Sequence, residues 1–207
     1  MNATKCLCYA PLCVVAFLFV AAPAHADILL QDNFNSENGG VGALNYNGFA
    51  NWNVTNGTVD LIGNGFFDFY PGNGLYIDLD GSTAQAGLLS SKLTFAPGTY
   101  MLQFDLGGSQ RGSTEIVTVT LGDYSEVFTL NSSDPLATIT RTVTTSVSGS
   151  LSFQNAGGDN VGAILDNVQV ASPVPEPASL LLLATGMLGL IGYTCRRKHP
   201  SLLATDN

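Results

Sequence analysis

The residues between 27 and 172 that could carry acid–base chemistry are carboxylates. Asp78 and Asp80 stand two positions apart in an alternating segment, so on a β-strand they share one face at a separation of about 7 Å. Glycosidases use two carboxyl groups about 5–9.5 Å apart, and this spacing permits a carboxylate-dependent enzyme acting on carbohydrate. The alternative is a solvated strand end entering a turn at Gly81 and Ser82. It is favoured because two positions on one strand rarely flank a substrate.

A second group of residues has the chemistry of ligand binding. One glycine-flanked segment holds four aromatic residues, Phe66, Phe67, Phe69 and Tyr70. An exposed aromatic face can pack against the apolar side of a sugar ring, and a guanidinium binds polar ligands as a fork. The candidate carbohydrate-binding residues are Trp52, Phe67, Tyr70 and Arg111. The alternative is that the rings fill the core, as aromatic side chains often do, and that Arg111 is solvated or ion-paired at the surface.

Other reaction classes lack the residues that they need. Both histidines (His25, His199) and all four cysteines (Cys6, Cys8, Cys13, Cys195) lie outside residues 27–172. That segment therefore cannot build a Ser-His-Asp or Cys-His nucleophile, a His/Cys zinc site or a disulfide, and it has no phosphate-binding Gly-x-x-x-x-Gly-Lys loop. Its three cations and fourteen carboxylates give a net charge of −11, which repels nucleic acid.

β-Strands must position these residues. Period-2 alternation and β-branched residues predict strands over 58–62, 75–80, 100–106, 115–121, 126–130, 137–147, 149–153 and 161–170. Clusters of Gly, Pro, Asn and Asp separate the strands as turns, and no segment between 27 and 172 shows a convincing 3.6-residue apolar period. The sequence predicts an all-β fold, an antiparallel β-sandwich or jelly roll over residues 27–172. We expect the glycine-rich segment 36–48 to be a surface loop.

Residues 1–26 have the three-part layout of a secretory signal peptide. Lys5 precedes an apolar run over 12–22, and Ala24 and Ala26 place small side chains at the −3 and −1 positions of a cut before Asp27. The apolar run is shorter than the roughly 20 residues that span a bilayer. We therefore expect a signal-peptide helix, export through the Sec translocon and cleavage by signal peptidase after Ala26.

Residues 173–207 form a second appendage. The motif Pro175-Glu176-Pro177 is stiff because proline fixes φ and restricts its predecessor. Residues 178–195 are almost wholly apolar, and Arg196-Arg197-Lys198 follows them. A helix over this run would be about 27 Å long, close to the hydrocarbon thickness of about 30 Å. We therefore expect a transmembrane helix whose basic end is cytoplasmic, which leaves residues 27–172 outside the cytoplasm.

The order of Pro-Glu-Pro, apolar helix and basic cluster, behind an N-terminal signal peptide, resembles the PEP-CTERM sorting signal of Gram-negative bacteria. The resemblance implies an exosortase, a membrane cysteine peptidase or transpeptidase, that cuts near Pro175-Glu176-Pro177. It implies an inner-membrane intermediate, then the cell surface, outer membrane or extracellular matrix, with a link to exopolysaccharide and biofilm. An ordinary C-terminal anchor also explains the helix and the cations, but not Pro-Glu-Pro. The tail from His199 to Asn207 is longer than such signals usually have.

The segment 27–172 carries a second resemblance. The order of three features, at 76–82, at 96–108 and at 165–170, is similar to that of galactose-binding-like jelly rolls, including bacterial exported proteins and plant cell-wall proteins of the DUF642 type. The cysteines of the plant type are missing. The resemblance implies a carbohydrate-binding jelly roll in which a structural calcium ion ties the first strand to the last. It places Asp32 and Asp166 near that ion, and calcium takes oxygen ligands of this kind.

Three hypotheses follow for the ectodomain. The first is a non-enzymatic surface or matrix protein whose jelly roll binds carbohydrate, such as the cell's own polysaccharide. The second is a purely structural matrix or adhesin domain without a ligand. The third is a carbohydrate-active enzyme that uses Asp78 and Asp80. The absence of histidine and cysteine from residues 27–172 favours the non-enzymatic hypotheses.

Overall fold

The computed structural model describes residues 25–173, 183 and 185–190 of the 207-residue chain. Residues 25–173 contain eleven β-strands and one short 3-10 helix, Glu37–Gly40. The strands are β1 Ile28–Asp32, β2 Trp52–Thr55, β3 Asp60–Gly63, β4 Leu75–Asp78, β5 Leu88–Phe95, β6 Gly98–Gly107, β7 Thr114–Leu121, β8 Tyr124–Asn131, β9 Ala137–Thr145, β10 Gly149–Asn155 and β11 Ile164–Ala171.

The strands form two sheets with one core between them. The first sheet has the order β3-β4-β11-β6-β9, and β1 also pairs with β11. The second sheet has the order β2-β5-β10-β7-β8. Every described strand pair is antiparallel. The prediction of an all-β antiparallel sandwich of the jelly-roll type is confirmed.

Alternation along the strands sends one set of side chains into the core. In β7, Val117, Val119 and Leu121 are buried, while the residues between them are half-buried. Aromatic rings join the two sheets, since the Phe104 ring of β6 lies 5.2 Å from the Phe153 ring of β10. Fully burying one such side chain stabilises the fold by about 1.5–3 kcal/mol. This packing stabilises a segment that has no cysteine to form a disulfide.

Trp52 joins the first strand to the second sheet. Its ring is fully buried and lies 6.0 Å from Phe153. Its Nε1 donates a hydrogen bond of 2.9 Å to Asp32 Oδ2, at the end of β1. Because β1 belongs to one sheet and β2 to the other, this contact ties the two layers together.

Three strands, β1, β2 and β5, are absent from the sequence prediction. β1 does not alternate at its start, where Ile28 and Leu29 are both exposed and the register with β11 shifts. β2 has only four residues, and the register of β5 with β10 shifts between Ser150 and Ser152. A bulge adds a residue to one strand and interrupts its alternation, so a period-2 search passes over such segments.

The two ends of the sandwich chain lie side by side. Asp27 N donates to Ser172 Oγ at 2.9 Å, and Ser172 N donates to the Asp27 carbonyl oxygen at 2.8 Å. Next to them, Ile28 pairs with Ala171 in the β1–β11 register. A signal-peptide cut after Ala26 would therefore leave this pairing intact, and the chain enters residues 173–198 from the same corner of the sheet.

The sandwich belongs to one of two compact units, Ala26–Val174. Residues 183 and 185–190 of the predicted transmembrane segment are described, and they are helical. No helix among the described residues is both long and apolar enough to cross a membrane, so the predicted transmembrane helix has no support from this part of the chain. Other predictions fall outside the described residues: the signal peptide over 1–24 with Ala24, and the motif residues Pro175, Glu176, Pro177, Arg196, Arg197 and Lys198.

Replacing Trp52 tests the junction between the two layers. We expect Trp52→Ala to lower the free energy of unfolding by about 3–5 kcal/mol, because it opens a cavity and removes the donor to Asp32. Urea unfolding followed by circular dichroism measures the loss. Val127→Ala is the control, since Val127 is 60 % exposed and should change stability by no more than about 0.5 kcal/mol. Equal effects of the two substitutions would contradict the buried position of Trp52.

Candidate functional site

The candidate site lies where β3 and β4 meet two loops. Asp60 begins β3 and Asp78 ends β4, and the two residues face each other across this strand pair. The loop 64–74 and the loop 108–113 enclose the space beside them, a cavity of about 160 Å³. We call it the Phe67–Arg111 cavity. Its lining residues are Leu44, Asp60, Ile62, Phe67, Phe69, Asp78, Ser82, Arg111 and Asn160.

The loop 64–74 holds an aromatic ring against this cavity. A Cβ atom at Gly63 would lie 2.1 Å from the Gly74 carbonyl oxygen, so the base of the loop can close only around glycine. Phe67 has a left-handed φ of +45°, which is strained for an aromatic residue. Its exposed fraction is 55 %, and its ring packs edge-on against Phe66 at 4.9 Å. The loop therefore presents Phe67 to solvent instead of burying it in the core.

Arg111 is held from three sides. Its Nη2 forms an ion pair with Asp78 Oδ2, and its Nη1 donates to the Asn160 carbonyl oxygen at 2.8 Å. Its guanidinium lies over the Phe69 ring, 5.1 Å from the ring centroid, where a cation is attracted by the ring face. Among the described residues its Nε has no hydrogen-bond partner. Arg111 is thus an ion-paired residue that also lines the cavity.

Tyr70 ties the loops together and does not line the cavity. Its hydroxyl lies 2.8 Å from the carbonyl oxygens of Gly108 and Asp134, and it accepts a hydrogen bond of 2.7 Å from Gln110 Nε2. Burial raises the pKa of this hydroxyl above its ordinary value, so it stays protonated and can donate to these carbonyl oxygens. Tyr70 thereby positions the loop that carries Arg111, while its predicted contact with carbohydrate stays a prediction.

The carboxylates at the cavity have unequal surroundings. Asp60 accepts hydrogen bonds from Asn45 N at 2.6 Å, and from Ser82 N and Oγ at 3.1 and 2.8 Å. Burial raises the pKa of Asp78 above its ordinary value, although the charge of Arg111 opposes this shift. A buried carboxyl with a single cationic partner is costly to ionise, so the direction of this shift follows from desolvation.

Asp80 is the least satisfied carboxyl in the described part of the chain. It is fully buried, and neither of its oxygens has a hydrogen-bond partner among the described residues. Burial, and then the charges of Asp159 and Glu115, raise its pKa to about 7. It lies next to Asp78, since Asp80 N donates to Asp78 Oδ1 at 3.1 Å. Perturbed carboxyls of this kind mark functional sites or structural charge clusters.

The geometry does not open the two carboxyls to a substrate. Asp78 is only 2 % exposed and engaged by Arg111, and Asp80 is fully buried. A glycosidase needs both carboxyl groups against the scissile bond, and only Asp78 lines the cavity. What the cavity offers is an exposed ring beside polar donors and acceptors, which is the chemistry of binding.

The structure contradicts the prediction that Trp52 contacts a carbohydrate ligand. Trp52 is fully buried and hydrogen-bonded to Asp32, so its ring cannot stack on a sugar at the surface. The alternative interpretation, that this ring fills the core, is the correct one. The physical reason is its position at the start of β2, where an inward-facing ring bridges the two sheets.

The two residues predicted to lie near calcium already accept hydrogen bonds, Asp166 from Asn167 N at 2.7 Å. Asp32 accepts hydrogen bonds from Phe34 N, Asn51 Nδ2 and Trp52 Nε1 at 2.9–3.0 Å. Burial, and then the charges of Asp105 and Asp32, raise the pKa of Asp166 to about 7. In the described part of the chain no three His, Cys, Asp or Glu residues form a metal-binding group. Two carboxylates alone do not supply the six to eight oxygens that calcium takes, and structural calcium stays a prediction.

Six lining residues were not among the predicted binding or catalytic residues: Leu44, Asp60, Ile62, Phe69, Ser82 and Asn160. Asp60 could have been found by pairing the predicted strands 58–62 and 75–80, which sets it opposite Asp78. No feature of the sequence indicated that Phe69, rather than Tyr70, would contact Arg111. Asn160 contributes through its backbone carbonyl, which no side-chain pattern reports.

The C-terminal part of the chain matches a known sorting motif. Residues 173–198 match the family model described as the PEP-CTERM protein-sorting motif. The matched range contains Pro175, Glu176, Pro177 and the basic cluster at 196–198, so the prediction of a PEP-CTERM motif is confirmed. The motif indicates an exported protein. No curated protein sequence matches the chain.

Solved structures similar to the chain share little sequence with it. The CBM22-1–GH10 modules of Clostridium thermocellum endo-1,4-β-D-xylanase 10B, complexed with xylohexaose, match at 12 % identity and a TM-score of 0.47, over 72 % of this chain and 29 % of that one. The K3 cleaved adhesin domain of Lys-gingipain from Porphyromonas gingivalis matches at 16 % and 0.48, over 70 % and 99 %. The CBM22-1 xylan-binding domain of Xyn10C from Paenibacillus barcinonensis matches at 16 % and 0.44, over 72 % and 96 %. The DUF642-type resemblance stays a prediction.

Replacing Asp80 tests the buried carboxyl. Because the folded state raises its pKa to about 7 from an unfolded value of about 3.9, its proton stabilises the fold at low pH, and this stabilisation is lost as pH rises through 7. We expect Asp80→Asn to exceed the parent in stability by about 1–3 kcal/mol at pH 8 and to match it near pH 4. Urea unfolding across this pH range measures the difference.

Asp123→Asn is a control of opposite sign. Hydrogen bonds from Ser146 and Thr145 lower the pKa of Asp123 to about 2, so its charge stabilises the fold above the unfolded pKa. This variant should lose stability at pH 8. An Asp80→Asn protein no more stable than the parent at pH 8 would show that Asp80 has a partner or is solvated.

Proposed function

We propose that this protein is exported, processed by an exosortase, and binds carbohydrate without catalysis through the Phe67–Arg111 cavity. The observation that carries the binding proposal is the exposed Phe67 ring, held by a strained backbone beside the side chains of Asp60, Ser82 and Arg111. A pyranose has an apolar face and a rim of hydroxyls. The cavity pairs an aromatic face with hydrogen-bonding groups that match both features.

The size and charge of the cavity limit which sugars could bind in it. A volume of about 160 Å³ is below the 300–1,000 Å³ of drug-sized sites, which favours one sugar unit or a chain end. The charge of Arg111 is compensated by Asp78, and Asp60 lies in the same lining. An anionic sugar would meet these carboxylates, so the cavity favours a neutral one.

The sorting motif supports the cellular part of the proposal. The motif begins directly after β11, which ends at Ala171, so an exosortase cut near Pro175 would fall outside the sandwich. We infer that the Sec translocon and signal peptidase export the chain and that it pauses in the inner membrane. It then reaches the cell surface, outer membrane or matrix of a Gram-negative bacterium. A polysaccharide-binding sandwich there would contact exopolysaccharide and contribute to a biofilm.

A second candidate function is a structural matrix or adhesin domain without a ligand. The contacts that favour it are the ties of Arg111 to Asn160 and of Tyr70 to Gly108 and Asp134, which join loops and would be needed for stability alone. On this hypothesis, no ligand contacts the exposed ring of Phe67. The two functions therefore differ in what removal of the Phe67 ring does.

Replacing Phe67 tests the binding proposal. The full-length protein in detergent micelles is run in affinity gels that contain neutral polysaccharides (xylan, hydroxyethylcellulose, galactan) or acidic alginate. We expect Phe67→Ala to weaken retardation by a neutral polysaccharide about tenfold, because loss of an aromatic contact costs about 1–1.5 kcal/mol, and Phe67→Tyr to preserve it. Val127→Ala is the surface control.

The comparison of variants separates the two candidates. Unchanged retardation of Phe67→Ala, with retained circular dichroism, would remove the cavity as the binding site. A parent protein that no polysaccharide retards, with or without calcium, would leave the structural function.

Intact mass spectrometry of the protein from its native host tests the processing. We expect a mature chain that begins at Asp27 and ends near Pro175-Glu176-Pro177, because both cuts fall just outside the paired ends of β1 and β11. A variant with Pro175 and Pro177 replaced by alanine should retain residues 178–207. A parent protein that keeps residues 178–207 would establish an ordinary membrane anchor instead.

A further inference from the structure

A second cavity lies on the outer face of the first sheet. Its volume is about 330 Å³, and it shares no lining residue with the Phe67–Arg111 cavity. Its lining residues come from β1, β11, β6 and β9 and from the segment that follows β1. They are Gln31, Asp32, Asn33, Gln103, Asp105, Thr138, Asn167 and Gln169. We call it the amide groove, because side-chain amides supply five of these eight residues.

The register of the strands sets three glutamines in one row. Gln31 of β1 pairs with Gln169 of β11, and Gln169 pairs with Gln103 of β6. Paired residues on adjacent strands point to the same face and are separated by about 4.8 Å. The row therefore crosses three strands at right angles to them, and it lies along the groove.

The three glutamine amides are free to bind a ligand. None of them donates or accepts a hydrogen bond within the described part of the chain, and Gln31 and Gln103 are exposed. Each amide offers two donors and an acceptor. Because these three amides do not hydrogen-bond to one another, the row presents donors and acceptors at regular intervals to a ligand that lies across the strands.

The carboxylates of the groove are fixed by the protein. Asn167 has a left-handed φ of +49° at an irregularity in the register between β11 and β6. That conformation aims its Nδ2 at Asp105 Oδ2, at 2.7 Å, while Thr138 Oγ1 donates to Asp105 Oδ1 at 2.5 Å. Asp32 is held by Trp52. The wall is thus rigid and negatively charged, and the glutamines remain for recognition.

We propose that the amide groove is a second carbohydrate-binding site, which takes a neutral polysaccharide chain lying across β1, β11 and β6. Hydroxyl groups both donate and accept hydrogen bonds, as amides do, so successive sugars match successive glutamines. No aromatic residue lines the groove, so recognition is by hydrogen bonds along a chain and not by stacking on one ring. Asp32 and Asp105 repel the carboxylates of acidic polymers.

This inference rests on the proposed carbohydrate-binding function and adds a second, separate surface to it. A molecule with one site for a chain and another for a single unit or chain end can hold two polysaccharide molecules at once. Such a protein cross-links a matrix, because each domain becomes a junction between polymers. Two sites on one molecule also raise avidity for a polymer that reaches both.

The test replaces the glutamines of the row. We use the full-length protein in detergent micelles and the affinity gels with xylan, hydroxyethylcellulose, galactan or alginate. The double variant Gln103→Ala/Gln169→Ala should weaken retardation by a neutral polysaccharide about thirtyfold, because it removes the hydrogen bonds of two amides. The matched control is Gln154→Ala, a glutamine on the other sheet. Circular dichroism verifies that each variant is folded.

The variants distinguish the two sites. If the glutamine variant loses affinity and Phe67→Ala does not, the amide groove binds and the Phe67–Arg111 cavity does not. If only Phe67→Ala loses affinity, the inference is overturned while the proposed function stands. Alginate bound more tightly than every neutral polymer would also overturn it, as would equal retardation of the glutamine variant and Gln154→Ala. Turbidity of protein and polysaccharide mixtures, lost in either variant, is the expected sign of cross-linking.

Discussion

The Arg111–Asp78 ion pair is the contact on which the candidate site depends, because cations are scarce in this domain. Residues 27–172 contain three cations for fourteen carboxylates, and each cation is engaged. Lys92 Nζ donates to the Phe49 carbonyl oxygen at 2.7 Å, and Arg141 pairs with Glu126 at 2.8 Å. Every other buried carboxyl must therefore be stabilised by neutral donors or hold its proton.

Uncharged side chains supply most of the neutral donors to these carboxylates. Asp32 uses the indole of Trp52, Asp60 uses Ser82, and Glu115 uses Asn155 at 2.9 Å. Each of these bonds joins segments that are distant in sequence, so satisfying a carboxyl also ties two such segments together. Asp80 is the exception among them, since its oxygens find no donor in the described residues. The raised pKa of Asp80 is the consequence.

The scarcity of cations also limits which ligands the two proposed binding surfaces can take. The Phe67–Arg111 cavity holds a guanidinium whose charge is already compensated, and the amide groove holds neutral glutamines between fixed carboxylates. Neither surface has a free cation among its lining residues, so both are suited to uncharged, hydroxyl-rich ligands and not to phosphate or nucleic acid. The sorting motif follows directly after β11, where the ends of β1 and β11 pair.

The all-β class, the PEP-CTERM motif and the lack of histidine and cysteine chemistry in residues 27–172 could be predicted from the amino-acid sequence, because alternation, motif order and composition are local properties. It predicted eight of the strands, but not β1, β2 and β5, whose short length or register shifts hide the period. The fold had to be known to see that Trp52 is buried in the core while Phe67 is exposed, since an aromatic residue type is compatible with either face of a sheet. The tertiary structure was also needed to align Gln31, Gln169 and Gln103. The pairing of strands far apart in the chain creates those neighbours, and a single sequence carries no direct record of such pairing.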